Sequence, residues 1–238
     1  MCQFTNDQRE AASTPEQTAE VIRAKYVPDT KLCQTAFTYA AQHLGPSILN
    51  HSIRVYLYTQ ALTPKLEKPS STNLNTMLFI AAMFHDIGTH DAFNGPGRFE
   101  VCGADAAVAF LRANAHDHDL TEGELQDIWV GIACHTSPEI AERISAFSNL
   151  IRLAVLTDFN RPGLRREFQV EALTAEIETS LPRLEIEKLL GDAVVRQIMG
   201  KKEGADRLRK APNNSWPGSL LKGELEKEPG YAGVNKYF

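Results

Sequence analysis

The residues that most clearly predict chemistry are a histidine and an aspartate side by side, His85 and Asp86. They follow an apolar run that begins at residue 79. An imidazole and a carboxylate at the inner end of such a run are costly to bury without a partner. Because histidine nitrogen and aspartate oxygen are both ligands of zinc and related ions, the pair predicts a divalent metal site.

Two further residues extend this pair to a set of metal ligands. His51 lies upstream, and Asp158 lies downstream at the end of the apolar segment 150–158. Together with His85 and Asp86 they would leave at least one coordination position open, as catalytic metal sites do. A metal ion there lowers the pKa of a bound water towards neutrality. Asp86 and Asp158 are also candidates to hold that water by a hydrogen bond.

A helical period dominates the chain and brings these residues to inward faces. One such face contains Leu74, Met77, Leu78, Ala81 and His85. A second helix is expected to open at Thr121 with a capping box to Glu124 and to end near His135. A third has Asp158 at the inner end of its apolar face. Further helices are expected over about 15–25, 30–43, 103–115, 164–178 and 184–199.

The pattern contains no convincing alternating strand and therefore predicts an all-α fold in three parts. An N-terminal helical extension is expected over 1–29, and the main helical domain over 30–199. The stretch 200–238 is charged and rich in proline and glycine. We expect it to be an irregular tail packed on or near the domain.

Composition excludes several classes of function. A net charge of −5 gives no basic footprint that would suggest a nucleic-acid partner, so none is expected. No segment approaches the roughly 18 apolar residues of a membrane span, so no membrane partner is expected. The beginning of the chain has no apolar signal core, and the four cysteines are scattered without metal-finger spacing. These features favour a cytoplasmic protein with a small-molecule substrate.

Several residues near the predicted ligands are candidates for substrate contacts. His135 is expected to bind substrate or to act as a general acid or base, the alternative being a histidine hydrogen-bonded at a helix end. His90 and Asp91 follow the metal dipeptide in a turn-rich loop, where they either face the substrate or lie in solvent. Arg54, one turn beyond His51, is expected to pair with a ligand carboxylate; the alternative is binding of an anionic substrate.

The order His51, His85-Asp86, Asp158 on separate helices resembles the HD-domain metal-dependent hydrolases. The stretches 50–56, 84–89, 98–103, 132–135 and 150–158 are similar to the fungal cyanamide hydratases within that superfamily. The resemblance implies an HD-domain helical bundle with one divalent ion, zinc before iron, manganese or cobalt. It implies addition of water to a small nitrile-like carbon, as in conversion of cyanamide to urea. Homodimers are also an expectation from this resemblance.

One position departs from the binuclear members of the superfamily. In many HD phosphohydrolases a second metal needs a histidine at the start of a segment like His-x-x-x-Gly-Ala, where this chain has Phe99. The departure favours one metal and argues against a two-iron oxygenase. It also makes Phe99, with Phe84 and Phe93, a candidate wall of the substrate pocket.

Two other functions remain open at this stage. A mononuclear HD phosphohydrolase would act on a nucleotide or another phosphomonoester, and Arg54, Arg98 and Arg152 are candidate cations for its phosphate. A binding or regulatory module would keep the metal site without activity. Fold and metal do not by themselves determine the substrate.

Overall fold

The described part of the chain is built from helices. A computed structural model of the protein describes residues 15–67, 69–114 and 120–238, and within these ranges there is no β-strand. The all-α prediction is therefore confirmed. Of the predicted extension over 1–29, residues 1–14 lie outside the described part. Among the described helices, none is both long and apolar enough to cross a bilayer.

The helices are connected mostly by short loops. In chain order they are α1 Pro15–Tyr26, α2 Lys31–His43, α3 Pro46–Leu62, α4 Leu74–Phe84, α5 Phe99–Asn114, α6 Glu122–Cys134, α7 Ala141–Ile144, α8 Ala146–Asp158, α9 Leu164–Glu167, α10 Glu171–Ser180, α11 Ile186–Met199, α12 Ala205–Lys210 and α13 Trp216–Glu226. Short 3-10 helices lie at Thr63–Lys65, Ile87–Thr89 and Asp91–Phe93.

Helix α4 is the centre of the main hydrophobic core. Every residue from Met77 to Phe84 is buried, as expected of a helix that is apolar on all sides. It packs against α2, α3 and α6, and α8 packs against α3 and α6. The C-terminal ends of α4, α6 and α8 meet beside the middle of α3.

Side-chain caps define where two of these helices begin. Thr121 and Glu124 form both hydrogen bonds of the predicted capping box at the start of α6. Ser145 accepts a hydrogen bond from the Ser148 N–H at the start of α8. Each cap determines the residue at which its helix begins. The last residues of both helices lie near the centre of the bundle.

Two glycines allow the loop after α4 to lie directly against α5. A Cβ atom at Gly88 would lie 1.9 Å from the carbonyl oxygen of Phe99. One at Gly103 would lie 2.8 Å from the carbonyl oxygen of Phe84. Larger residues cannot occupy these positions without moving backbone, so the loop that contains Asp86 is packed tightly.

The C-terminal segment is more regular than predicted. It contains α12 and α13, and only the remainder of 200–238 is irregular. Ser215 caps α13 by accepting from the Gly218 N–H, and Pro217 lies in its first turn. Proline is well tolerated there, so the Pro-Gly content that suggested an irregular tail marks a helix start instead. Leu220 and Ala211 join a second apolar cluster with Phe99 and α11, so this segment packs against α5 and α11.

The single helix expected over 164–178 is divided in two. Helices α9 and α10 are separated by Gln169, whose φ of 52° is left-handed. A left-handed residue cannot continue a right-handed helix, which explains the break.

Candidate metal centre

The predicted site residues lie in the centre of the bundle. His51 is in the middle of α3, His85 and Asp86 directly follow α4, His135 directly follows α6, and Asp158 is the last residue of α8. None of these five side chains is more than 2% exposed. The helical spacing that placed them on inward faces is confirmed.

Three of these residues bring ligand atoms to one point. Nε2 of His51 lies 3.0 Å from Nε2 of His85 and 3.4 Å from Oδ2 of Asp86. Nε2 of His85 lies 3.2 Å from the same oxygen. Atoms bound to one ion at about 2.0–2.2 Å lie roughly 3.0–3.5 Å apart, depending on coordination number. The group His51, His85 and Asp86 can therefore hold a metal ion.

Hydrogen bonds at the opposite ring nitrogens orient these histidines. Nδ1 of His51 lies 2.6 Å from Oδ2 of Asp158, and Nδ1 of His85 lies 2.8 Å from the Ala82 carbonyl oxygen. Carboxylates and carbonyls accept hydrogen bonds, so each Nδ1 donates. In the neutral imidazole this leaves the Nε2 lone pair directed at the shared point, as in histidines that ligate metals.

The carboxylate of Asp86 also indicates a cation. Both of its oxygens are buried, and neither has a hydrogen-bond partner among the described residues. A buried carboxylate that accepts no hydrogen bond is unfavourable, and a metal ion at the shared point would satisfy it. This fit depends on the donor set and its burial, so it is independent of any resemblance to known proteins.

Electrostatics favour the cation-binding forms of two of the three ligands. Burial raises the pKa of Asp86, but the imidazoles of His85, His135 and His51 outweigh burial and hold that pKa well below its ordinary value. Burial lowers the pKa of His85. Burial also lowers the pKa of His51, but Asp158 and Asp86 outweigh it and leave that pKa raised. Because a ligating histidine must be deprotonated, metal binding at His51 competes with protonation.

Asp158 is not part of the converging group. Arg54 donates from Nε to Oδ1 at 2.7 Å and from Nη2 to Oδ2 at 2.9 Å, and Nη1 of Arg183 lies 3.6 Å from Oδ1. Burial raises the pKa of Asp158, but His51 and Arg54 outweigh it and lower that pKa strongly. In this structure Asp158 orients His51 and does not contact the other two ligands. Arg54 has the pairing role that the sequence predicted for it.

His135 lies beside the group. Its Nε2 is 3.6 Å from Oδ1 of Asp86, and its ring meets His85 edge-on at a centroid distance of 5.0 Å. Its Nδ1 lies 2.7 Å from the Ile132 carbonyl oxygen, and Arg152 donates to the His135 carbonyl oxygen at 2.9 Å. These bonds direct Nε2 towards the metal group and the cavity above it.

A cavity of about 600 Å³ opens onto this site, with Asp86 and His135 at its inner end. Its aromatic lining residues are Phe159, Trp216, Tyr237 and Phe238. None of these four was predicted from the sequence. Phe159 follows Asp158 directly, and Trp216 follows the cap residue Ser215. Neither position in the sequence predicts that the residue lines a cavity.

The predicted substrate residues are placed differently from one another. Phe99 is buried and does not line the cavity, and its ring lies 5.8 Å from that of His135. His90 packs against His43 and does not line the cavity. Asp91 is exposed in the neighbouring 3-10 helix and is also absent from the lining.

The two other phenylalanines expected as walls face elsewhere. Phe84 and Phe93 both pack against the ring of Tyr39. Phe84 is the last residue of α4, whereas Phe93 lies in the loop after Gly88, which does not line the cavity.

The arginines considered as phosphate ligands are committed to carboxylates. Arg54 pairs with Asp158, Arg98 with Glu100 and Arg152 with Glu142. Arg161 lines the cavity from an exposed position. The inner end of the cavity thus has the charge of the metal group and few cations for a phosphate.

No protein-family model matches the chain, and no curated protein matches its sequence.

Proposed function

We propose that this protein is a metal-dependent hydratase that adds water to a nitrile-like carbon, with one divalent ion, zinc by preference, held by His51, His85 and Asp86. The observation that carries the proposal is the buried carboxylate of Asp86, which accepts no hydrogen bond from the described residues. It faces two imidazole nitrogens at ligand spacing and opens onto a cavity. The order of these residues and its resemblance to the cyanamide hydratases supply the reaction class.

A divalent ion, when bound, supplies Lewis acidity and makes a water acidic enough to react near neutral pH. The chain's own residues have separate tasks. Asp158 holds His51 in the tautomer that presents Nε2, and Arg54 holds Asp158. These bonds remove rotational freedom from the ligand before any ion or substrate binds.

His135 is placed to move a proton. Its Nε2 faces Asp86 Oδ1 and the cavity, while its Nδ1 is bonded to a carbonyl. In hydration of a nitrile, the water oxygen bonds to carbon, the first C–N π bond opens, and one proton of the water goes to nitrogen. The second proton then moves from oxygen to nitrogen as the remaining C–N π bond opens and the C=O π bond forms, which gives an amide, or urea when the substrate is cyanamide. His135 Nε2 can take a proton from water and return it to the nitrogen.

Phosphomonoester hydrolysis has less support. The three arginines considered from the sequence as phosphate ligands, Arg54, Arg98 and Arg152, are each paired with a carboxylate, as described above. A phosphate would have to break one of these pairs or depend on the exposed Arg161. The experiment must nevertheless distinguish the two reactions.

The test combines metal analysis with turnover. Purified protein, loaded with zinc, iron, manganese or cobalt in parallel, is assayed with nitriles including cyanamide and with p-nitrophenyl phosphate. We expect about one ion per chain and nitrile hydration that is lost in His85→Ala. The matched control is His43→Ala, because His43 lies outside the cavity and bonds only to the Tyr39 carbonyl.

Two results would contradict the proposal. Absence of stoichiometric metal in the wild-type protein would reject the metal centre. Bound metal with phosphate release, and no hydration of any nitrile, would assign the site to the phosphohydrolase reaction.

A further inference from the structure

The size of the cavity is at odds with the smallest nitrile-like substrates. Cyanamide has three heavy atoms and occupies the space of two or three waters, each about 30 Å³. The cavity above the metal group measures about 600 Å³. Pockets of roughly 300–1,000 Å³ are typical of larger organic ligands. Cyanamide would therefore touch the ligand residues and leave most of the walls without contact.

Aromatic rings at and beside the metal group form a closed circuit, and four of them line the cavity. Each ring contacts the next at a centroid distance between 4.6 and 5.9 Å. The order around the circuit is His51, Phe159, Phe238, Trp216, Phe99, His135, His85 and back to His51. Two of the three imidazoles in it are proposed ligands, so the aromatic surface begins at the metal group itself.

Three of these rings remain partly accessible from the cavity. Phe159, Trp216 and Phe238 are half-buried and line it. Phe238 meets both neighbours edge-on, at 75° to Phe159 and 78° to Trp216. Such edge-to-face contacts leave ring faces available for another aromatic group, which they would bind in offset or edge-on geometry.

The charge of the lining fits a neutral ligand. Among the described lining residues, the charged side chains are Asp86 in the metal group, Arg152 paired with Glu142, and Arg161 at an exposed position. Next to the aromatic rings lie apolar residues such as Val155 and Leu190. A charged group placed among them would lose its hydration without a partner.

We infer that the substrate is an aryl nitrile, whose aromatic ring lies among Phe159, Trp216 and Phe238 and whose C≡N group points to Asp86 and His135. This inference rests on the proposed function and specifies its substrate class. The reaction converts an aryl nitrile and one water into a primary aryl amide. The water oxygen bonds to the nitrile carbon, both C–N π bonds open in turn, a C=O π bond forms, and both protons of the water finish on nitrogen.

Equilibrium binding tests the ring site separately from activity. Isothermal titration calorimetry measures the Kd of benzonitrile and of its product benzamide for the metal-loaded protein. Trp216→Ala should weaken binding about tenfold, whereas Trp216→Phe, which keeps an aromatic wall, should weaken it by less than about threefold. Trp129→Ala is the matched control, because Trp129 lies outside this cavity and bonds to Asp105.

Steady-state kinetics then tests the substrate class. The kcat/KM for benzonitrile should exceed that for cyanamide at least about tenfold, and Trp216→Ala should lower it mainly through KM. If Trp216→Ala fails to fold, Phe238→Ala provides the same test and should also lower kcat/KM for benzonitrile mainly through KM.

The outcomes separate the two proposals. Trp216-dependent binding of benzonitrile with benzamide formation supports both. Urea formation from cyanamide with no binding of benzonitrile overturns the aryl inference and leaves the hydratase proposal intact. Trp216-dependent binding without hydration of any nitrile supports the aromatic ring site but refutes the hydratase. Binding that is equal in the wild type and Trp216→Ala overturns the assignment of the ring site.

Discussion

Replacing Arg54 by methionine tests whether the Arg54–Asp158 pair supports the position of His51. Both charged side chains are fully buried, and the guanidinium donates two hydrogen bonds of 2.7 and 2.9 Å to the carboxylate. Methionine approximates the volume of arginine but removes both bonds. Asp158 would keep only His51 Nδ1 at 2.6 Å and the more distant Arg183, whose Nη1 lies 3.6 Å away.

The expected loss follows from this geometry. Removing one partner of a buried ion pair lowers the free energy of unfolding by about 3–5 kcal/mol. Arg183 compensates part of the remaining charge, so we expect the lower end, about 3 kcal/mol. The urea dependence for a chain of this length lies near the top of about 1–3 kcal/mol/M, so the unfolding midpoint should fall by about 1 M.

The assay is urea unfolding followed by circular dichroism in the presence of a chelator, because bound metal would itself stabilise the native state. Asp158→Asn and the double variant complete a thermodynamic cycle. The double variant should lose at least about 2 kcal/mol less than the sum of the two single losses. Arg112→Met is the control, since Arg112 pairs with Glu122 on the exposed surface and should contribute little. Additive losses, or an Arg54→Met midpoint close to that of the wild type, would refute the role given to this pair.

Three other predictions concern the ligands and the loop that holds them. Asp158→Asn should weaken zinc binding about 10–100-fold, as loss of an orienting partner does, whereas Asp86→Asn should abolish it; competition with a chromophoric chelator measures both. His135→Gln should retain metal but lower kcat about 10²–10⁴-fold, measured by amide or urea formation alongside metal analysis. Gly88→Ala should destabilise the fold by at least about 1–3 kcal/mol, since its Cβ would lie 1.9 Å from a carbonyl oxygen. Gly123→Ala, with no contact closer than 3.8 Å, should not lower the melting temperature.

The parts of the site that sequence reasoning predicted are those determined by local periodicity. His85 follows the apolar face of α4 at helical spacing, and Asp158 ends the apolar face of α8. A residue at the inner end of a buried helix has few directions in which to point. Burial of these side chains was therefore predictable, as was the capping box of α6.

The division of roles among these residues was not predictable in the same way. Whether Asp158 contacts a metal or a histidine depends on Arg54, which lies on another helix 104 residues earlier. Both oxygens of Asp158 accept hydrogen bonds from Arg54. The spacing of residues in the sequence does not reveal which of several possible partners a carboxylate binds. The same limit applies to His90, which adjoins the metal dipeptide in sequence but packs against His43.

Part of the aromatic cavity wall comes from residues that are distant in sequence from the His85-Asp86 pair. Trp216 and Phe238 lie in a segment whose proline and glycine content suggested irregular structure, yet they complete the circuit that starts at His51. Polar contacts also join this segment to the loop that contains Asp86 and Gly88. Buried Lys210 donates to Gln197 at 3.1 Å, and Gln197 donates to the Gly88 carbonyl oxygen at 2.9 Å. The C-terminal segment therefore supplies part of the cavity wall and also braces the loop that holds Asp86. Changes in this segment can alter both substrate choice and the position of Asp86.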